Sequence, residues 1–429
     1  MNRLNNMGVL AYSGRPMRKG SRHPINLGDP IQSYAAENAL RTIGYNGEIQ
    51  LLEKYSLASF KGEKVKLIFN SFNMIVDQSG YKYNTLPVSK NIEPCFFSFH
   101  LHTRNIPIHI VEQLKLYSPI GCRDIETYQN LKNHDIPCYI SGCLTLTLPT
   151  RKNCPDERKV FFVDIPDSLR GYIPEELVKD GEFITHQPDF HRSSSEAFLT
   201  ANEYDFIYRR AIDLLYRYKN EATLIVTTRL HVASPAIAMG IPVILVRSNV
   251  DGRFGCVASL TNIYTPSNFN AIDWEPECID AEVEKKIMLD ALKQCIDGPV
   301  SLNSDSIAKL NSYWKAKDNS SIDLELKNKF DLIISNIKNV QKPMCILLWG
   351  LTPETQKIKH IIDDYYPEFF IKKIVDVSCM GVFEGVQIIR PDELKKYSGS
   401  DCLVIVVAKA AHSQASTMLA DLNIRFYLL

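Results

Sequence analysis

Three features that would place a chain in a broad class at once are missing here. The 11 cysteines include no C-x-x-C pair, so the spacing typical of zinc ribbons and dithiol redox motifs is absent. No apolar run approaches the ~18 residues of a membrane-spanning helix. Lys+Arg 49 equals Asp+Glu 49, so the chain lacks the positive charge of a general nucleic-acid binder.

The remaining composition is that of a globular protein. Hydrophobic residues make up 45% and charged residues 23%, which is ordinary for a water-soluble fold. A length of 429 residues predicts two or three domains. The first residues, MNRLNNMGVLAY, lack the apolar segment of a signal peptide. We therefore expect a cytoplasmic protein with reduced thiols, for which peripheral contact with the inner face of a membrane stays open.

Residues 221–245 predict one βαβ unit of a parallel sheet. The run 223–226 is short, apolar and β-rich, and 241–246 is a second run of this kind. Between them, residues 231–239 are small and apolar, as in a buried helix, and Gly240 stands where a helix commonly ends. We expect strand, tight turn, helix and strand in this order.

Arg229 and His231 fall on the predicted strand-to-helix turn. Open α/β sheets bind ligands at this edge, and a helix N-terminus attracts anions. A permanent cation and a group that titrates near neutrality would stand beside that anion site. The alternative is a capping arginine and a histidine with internal partners on an ordinary turn.

The N-terminal part carries further candidates for a cleft. A first strand over 7–12 is followed by a long polar loop with Asn26, Gly28 and Asp29. Asp29 could cap a helix over residues 30–40. Turn and cap chemistry alone would explain these residues equally well.

Other polar residues follow predicted strands. Asn70 ends a strand over 65–72, where its side chain could meet a substrate. Arg123 lies at a strand-to-helix turn, and Asp124 could cap the next helix or pair with Arg123. His100 and His102 share a strand face; a structural role is favoured over a metal pair because no partner ligand stands nearby.

The second half predicts two further α/β regions. His186 at a strand end and Arg253 in a glycine-containing loop could face a cleft. We predict domains over 1–150 and 151–300, a helical linker over 301–340, and a small Rossmann-like domain over 341–429. In that last domain GLTPET stands where G-x-G-x-x-G is expected and keeps only Gly350, so we expect assembly rather than nucleotide binding.

Three motifs resemble the polysaccharide pyruvyl transferase family. They are NLGDPIQSYAAENAL at 26–40, SPIGCRDIETYQNLKNHDIPCYISGCLTLTLP at 118–149, and TTRLHVASPAIAMGIPVI at 227–244. The resemblance implies an α/β fold with two facing Rossmann-like domains, similar to the GT-B arrangement, with the first domain on the acceptor side. Where the family often has Asp-Pro, this chain has Ser141, Gly142 and Cys143, which leaves an acidic contribution there in doubt.

The resemblance also implies a reaction. Its donor would be phosphoenolpyruvate, bound by Arg123, Arg229, Leu230 and His231, and its product a pyruvate ketal on a lipid-linked or nucleotide-linked sugar. His231 would be the acid, and Asp29 or His186 the base. No cofactor or metal is required by this prediction.

Two alternatives from other classes are open at this point. A GT-B glycosyltransferase would use the same cleft and basic turn for a nucleotide sugar. A non-catalytic scaffold of a polysaccharide-assembly complex would use the C-terminal domain as its partner surface. Donor binding distinguishes them, because a bound donor stabilises the folded state.

Overall fold

The computed structural model describes most of the chain. It covers residues 6–12, 23–75, 85–190, 199–247, 252–266, 268–297, 304–317, 344–366, 369–400 and 402–429, with the single positions Leu326, Phe330 and Ile333. The chain divides into two compact units, Met1–Asp318 and Asn319–Leu429. Much of the predicted linker over 301–340 lies outside the described residues, and the predicted boundary near residue 150 stays a prediction.

The strands of the first unit are short. They are β1 (Met7–Ala11), β2 (His23–Pro24), β3 (Ile49–Glu53), β4 (Val65–Phe69), β5 (Phe72–Asn73), β6 (Ile92–Phe96), β7 (His100–Leu101), β8 (Ile120–Cys122), β9 (Cys138–Ile140), β10 (Val160–Val163), β11 (Gly181–Ile184), β12 (Asp189–Phe190), β13 (Leu224–Thr227), β14 (Val243–Val246) and β15 (Ile263–Tyr264).

The helices of this unit connect these strands. They are α1 (Gly28–Thr42), α2 (Ile108–Leu116), α3 (Ile125–Lys132), α4 (Glu175–Lys179), α5 (Ala201–Glu221), α6 (Leu230–Ala238), α7 (Gly255–Ala258), α8 (Glu282–Asp297) and α9 (Ser304–Lys317).

Two parallel sheets organise the first unit. One has the strand order β3-β1-β4-β6, and the other has the order β11-β10-β13-β14-β15. The inner strands β1, β4, β10, β13 and β14 are buried along their whole length, as is typical of parallel sheets whose faces are covered by helices. One hydrophobic core runs from β1 and α1 to β13, α6 and Trp314 of α9, so the two sheets share packing. This α/β architecture with parallel sheets was predicted; the GT-B arrangement stays a prediction.

The central βαβ unit has the predicted order of elements. Strand β13 is completely buried, α6 follows it after two residues, and β14 pairs in parallel with β13. Gly240 has a φ of +69°, a conformation that glycine adopts without strain. Because β10, β11 and β13 run parallel in one sheet, their carboxyl ends lie at the same edge.

Three local expectations were wrong. Helix α1 begins at Gly28 with Leu27 as its N-cap, so Asp29 lies inside the first turn and does not cap the helix. Thr227 and Thr228 are of a residue type that predicts a threonine N-cap for α6, but the N-cap is Arg229, and Thr227 Oγ1 instead accepts a hydrogen bond from the backbone N–H of Arg229 at 3.0 Å. The apolar run over 95–101 predicts a single strand, which is interrupted because Ser98 has a φ of 60°.

The second unit is an independent α/β structure. Its strands are β16 (Met344–Trp349), β17 (Phe369–Val375), β18 (Gly381–Phe383), β19 (Val386–Ile389), β20 (Leu403–Val406) and β21 (Phe426–Leu428), and its helices α10 (Pro353–Tyr365) and α11 (His412–Asp421). The sheet order is β18-β19-β17-β16-β20-β21, in which β18 is antiparallel. Apart from β18, the strands follow the order 3-2-1-4-5 that is typical of doubly wound folds. Among the described residues, none of the helices has the length and apolar character to cross a membrane.

Candidate functional site

The turn after β13 carries the two residues that the sequence singled out. Arg229 precedes α6 in an extended conformation, and His231 departs from helical geometry with φ −83° and ψ 25°. The His231 side chain is partly buried, and its Nε2 is shielded from solvent without a hydrogen-bond partner in the described part of the chain. A buried polar atom without a partner is costly, and His231 Nε2 is one that the described part of the chain leaves open.

Asp164 connects Arg229 to the neighbouring strand. Its Oδ2 accepts hydrogen bonds from Arg229 Nε at 2.8 Å and from the backbone N–H of His186 at 3.0 Å. Asp164 has a φ of 50°, which aspartate tolerates better than most residues. Its main-chain oxygen accepts from Thr228 Oγ1 at 2.8 Å. The carboxylate therefore fixes the guanidinium of Arg229 at the edge of the sheet.

His186 is buried next to the carboxylate of Asp164. Its side chain is 1% exposed, its Nε2 lies 2.9 Å from the hydroxyl of Tyr218 on α5, and the two rings are stacked. Burial and the charge of Arg229, opposed by Asp164, lower the pKa of His186 to about 3. His186 is therefore neutral at physiological pH.

The start of α1 packs directly against His231. A Cβ added to Gly28 would lie 3.1 Å from His231 Cβ and 3.2 Å from its Nδ1, so glycine permits the close approach of the helix to the imidazole. Asn26 Oδ1 accepts a hydrogen bond from the Gly28 N–H at 3.2 Å, and Leu27 N–H donates to the oxygen of His186 at 2.8 Å. Two predicted residues of the N-terminal loop, Asn26 and Gly28, are thus brought to the turn of α6.

Arg123 reaches the same region from the end of β8. It is 2% exposed, and its Nη1 lies 3.4 Å from Oε1 of Gln32 on α1. Gln32 Nε2 in turn donates to Asp29 Oδ1 at 3.3 Å. The hydroxyl of Tyr12 is buried without a hydrogen-bond partner in the described chain. Burial, then the charge of Asp29, raises the pKa of Tyr12 well above its ordinary value.

Asp124 lies next to the guanidinium of Arg123. As predicted, it caps α3, since its Oδ1 accepts from Thr127 N–H at 2.9 Å. Its Oδ2 lies 2.6 Å from His100 Nδ1 and 3.5 Å from Arg123 Nε. Although burial raises the pKa of Asp124, His100 and Arg123 lower it below its ordinary value overall. The pairing of His100 with a carboxylate agrees with a structural role for that histidine.

The remaining predicted residues have distinct surroundings. Asn70 is buried. Its Nδ2 donates to the main-chain oxygen of Gln32 at 2.9 Å, and its Oδ1 has no partner among the described residues. The guanidinium of Arg253 lies 5.8 Å from the ring centre of Phe72. The side chain of Leu230 packs in the hydrophobic core, so its backbone is the part that a donor would contact.

The protonation state of His231 differs from the sequence-based expectation that both forms are accessible. Burial lowers the pKa of His231 well below its ordinary value, and the positive charges of Arg123 and Arg253, then His186, lower it further. In the absence of a ligand the imidazole is therefore neutral. An anion among these arginines would reverse part of this shift.

An open groove lies beside this edge. It has a volume of about 750 Å³ and is lined by Leu27, Thr185, Phe206, Arg210 and other residues of β11 and α5. On the groove wall, Arg217 donates two hydrogen bonds to Glu182, at 3.0 and 2.8 Å. In the described chain, the structure has no cluster of three or more His, Cys, Asp or Glu side chains placed to bind a metal.

Sequence reasoning missed three residues of this site, Asp164, Gln32 and Tyr218. Asp164 follows a buried apolar strand, VFFV, in the same way that Arg229 follows β13. This position after a predicted strand would have marked Asp164 as a candidate site residue. Gln32 and Tyr218 lie within amphipathic helices, where the sequence offers no mark that separates them from other polar or aromatic positions.

Comparison with solved structures gives weak similarities. Two crystal structures of RSP, a Rex-family repressor, one in complex with beta-NADH, are each 14% identical with a TM-score of 0.20. These matches cover 24% and 29% of this chain and 53% and 64% of the repressor chains, less than two thirds of their length. The apo form of Rhodotorula graminis D-mandelate dehydrogenase is 10% identical over 60% of this chain and 68% of its own, with a TM-score of 0.15. Such scores carry no argument.

Comparison with curated proteins gives no match. The family model described as polysaccharide pyruvyl transferase matches residues 26–249, which is more than half of the 429 residues. The match begins at Asn26 beside α1, includes Arg123, Asp164 and His186, and extends past the turn that carries Arg229 and His231. The chain therefore belongs to the polysaccharide pyruvyl transferase family.

Proposed function

We propose that this transferase moves the pyruvyl group of phosphoenolpyruvate onto two hydroxyls of a sugar and forms a pyruvate ketal in the synthesis of a cell-surface polysaccharide. The observation that carries the proposal is the unpartnered, shielded Nε2 of His231 among the charges of Arg123 and Arg253. A neutral imidazole surrounded by cations is suited to a small ligand with several negative charges.

Donor binding uses arginines and helix N-termini. Phosphoenolpyruvate has a phosphate and a carboxylate, and both are groups that guanidinium forks and free backbone N–H groups bind well. Arg229 is held by Asp164 and Arg123 by Gln32 and Asp124. These contacts fix the cations before the donor arrives, so less side-chain freedom is lost on binding.

Donor binding also prepares the acid. The negative charges of phosphoenolpyruvate offset those of the arginines, so the pKa of His231 rises when the donor is bound. Protonated His231 gives its proton to the methylene carbon, which becomes a methyl group and leaves positive charge on the adjacent carbon. A sugar hydroxyl adds to that carbon and loses its proton to the imidazole. Phosphate then leaves, and the second hydroxyl closes the ketal and releases its proton.

The second hydroxyl needs a base, and Asp29 is a candidate for this role. Asp29 lies in the first turn of α1 and is hydrogen-bonded to Gln32, and we assign it to the side of the cleft where the acceptor binds. The groove next to Leu27 and Thr185 offers exposed Phe206 together with arginine and carboxylate side chains, groups that suit the apolar faces and hydroxyls of a sugar. The acceptor would be a lipid-linked or nucleotide-linked sugar in the cytoplasm, with no cofactor required.

The test is ligand-dependent thermal unfolding. Phosphoenolpyruvate should raise the unfolding temperature of the wild-type chain with no nucleotide sugar present, since a ligand that binds the native state stabilises it. The variant His231→Ala should keep its unfolding temperature without ligand. Protection by a nucleotide sugar with no response to phosphoenolpyruvate would instead support glycosyl transfer.

A further inference from the structure

His186 carries a buried hydrogen-bonding atom that the reaction outlined above does not use. Its side chain is 1% exposed, and Nδ1 has no partner among the described residues. Its other nitrogen, its backbone N–H and its backbone oxygen are all engaged, by Tyr218, Asp164 and Leu27. The residue is thus held by three hydrogen bonds to different parts of the chain, and one polar atom of its ring, Nδ1, stays open.

The contact with Tyr218 favours one of the two neutral tautomers of His186. The Tyr218 hydroxyl needs an acceptor for its hydrogen, and His186 Nε2 at 2.9 Å is the partner that the described structure gives it. When Tyr218 donates to Nε2, the neutral imidazole must carry its proton on Nδ1. The open atom is then an N–H donor and cannot act as a base. This argues against one of the two bases considered from the sequence.

The position of His186 places it with the donor-binding residues. Asp164 Oδ2 binds both the His186 backbone and Arg229 Nε, so the histidine and the arginine are parts of one hydrogen-bonded unit. The main-chain oxygen of His186 also accepts a hydrogen bond from the N–H of Leu27, the neighbour of Gly28, which packs against His231. Sequence reasoning had assigned His186 to the acceptor side of the cleft.

We infer that the chain Tyr218–His186 presents the Nδ1–H of His186 to an anionic oxygen of the donor, so that His186 is a further donor-binding residue. This inference rests on the proposed function, which supplies the donor. Its chemistry is that of a fixed, neutral hydrogen-bond donor placed beside the cation Arg229. Such a donor contributes to binding an anion without adding charge that would lower the affinity of a neighbouring acid for its proton.

Two amide substitutions separate the two ring nitrogens. His186→Asn keeps an N–H near the position of Nδ1 and loses the acceptor for Tyr218. His186→Gln keeps an acceptor near the position of Nε2 and loses the Nδ1 donor. The inference predicts opposite orders: His186→Asn is the less stable variant but the better enzyme, whereas His186→Gln has a roughly 10- to 100-fold higher KM for phosphoenolpyruvate with a smaller change in kcat.

The experiment measures acceptor-dependent phosphate release and the unfolding temperature for wild type, both amide variants and Tyr218→Phe. Tyr218→Phe should raise the donor KM by less than His186→Gln, because the imidazole remains but its tautomer is no longer fixed. If wild type is active and the KM values follow the stability of the variants, His186 is only structural and the inference is overturned. If wild type neither binds phosphoenolpyruvate nor releases phosphate, the proposed function fails, and the inference fails with it.

Discussion

The two units each place a strand-to-helix turn at the carboxyl edge of a parallel sheet, but the turns differ in what occupies them. In the first unit, Arg229 and His231 precede and enter α6, and His231 Nε2 is left without a partner. In the second unit, β16 leads through Gly350 to α10, and the carboxylate of Asp376 accepts from the Leu351 N–H at 2.8 Å. A side chain of the protein itself therefore occupies the place beside this turn where an anion could bind.

The second turn is held by several local contacts. Asp376 Oδ1 also accepts from the N–H groups of Ser378 and Cys379. Gly350 has a φ of +106°, and a Cβ there would lie 2.3 Å from that of Ala408. This glycine is required by its conformation and by the close approach of the chain, and these needs are independent of any phosphate. The two turns therefore differ in one respect: the first leaves a polar atom open within the described chain, and the second places a carboxylate there.

The largest expected effect concerns the open atom of the first turn. His231→Ala should lower acceptor-dependent phosphate release by roughly 10²- to 10⁴-fold, the range of a general acid, at an unchanged unfolding temperature. Release of phosphate from phosphoenolpyruvate reports the effect, and circular dichroism reports the fold. Wild-type turnover in this variant would remove His231 from the chemistry.

A smaller effect is expected for Arg229→Lys. Lysine keeps the charge but loses the planar fork and the Nε–H that Asp164 binds. We expect kcat/KM for the donor to fall roughly 10- to 100-fold, the equivalent of one charge-assisted hydrogen bond. Steady-state kinetics at varied phosphoenolpyruvate tests it. Arg158→Lys is the matched control, because Arg158 pairs with Asp180 at the exposed surface, and it should behave as wild type.

The second turn should respond in stability instead of activity. Burial raises the pKa of Asp376, but hydrogen bonds from Leu351, Ser378 and Cys379 outweigh this and lower the pKa to about 2. Relative to an ordinary aspartate, this corresponds to stability on the order of 2 kcal/mol that is present above pH ~4 and lost as the pH falls toward 2. Asp376→Asn should destabilise the second unit by about this amount at neutral pH and remove that acid dependence.

Denaturant unfolding of wild type and Asp376→Asn between pH 2 and 7 measures this difference. The variant should keep kcat and KM for phosphoenolpyruvate within about twofold, since additivity holds for independent regions. A large loss of activity with unchanged stability would show that the second turn takes part in catalysis, and the contrast between the turns would be wrong.

The smallest effect is expected for Gly28→Ala. The added Cβ would lie 3.1 Å from His231 Cβ and from Asn26 Oδ1, so the imidazole must shift by a few tenths of an ångström. We expect a decrease in kcat of roughly 3- to 30-fold, because displaced catalytic groups lose rate steeply. Gly171→Ala is the control, since no atom lies within 4 Å of a Cβ there. Equal activity of both variants would separate Gly28 from the site.

The sequence allowed the local elements around the site to be predicted because they follow from short patterns. The order from β13 through α6 to β14, the conformation of Gly240, and the Asp124 cap on α3 all depend on neighbouring residues. The family motifs marked Arg123, Arg229 and His231 for the same reason. Their roles in the reaction stay predictions.

Long-range contacts set the rest, and a single sequence does not contain them. Asp164 meets Arg229 across 65 positions, and Gln32 meets Arg123 across 91. The low pKa of His231 depends on burial and on Arg123 and Arg253, which come from other elements. The occupation of the second turn by Asp376 likewise depends on the pairing of β17 with β16.

The most direct test of the central claim is the product of the wild-type reaction. Phosphoenolpyruvate would be incubated with galactose-, glucose- and N-acetylmannosamine-type acceptors, each as a lipid-linked and a nucleotide-linked form, with measurement of phosphate release and acceptor mass. We predict that phosphate appears only with an acceptor and that the acceptor gains one pyruvate as a ketal at two hydroxyls. Phosphate release without any modified acceptor, or transfer of a sugar from a nucleotide, would contradict pyruvyl transfer.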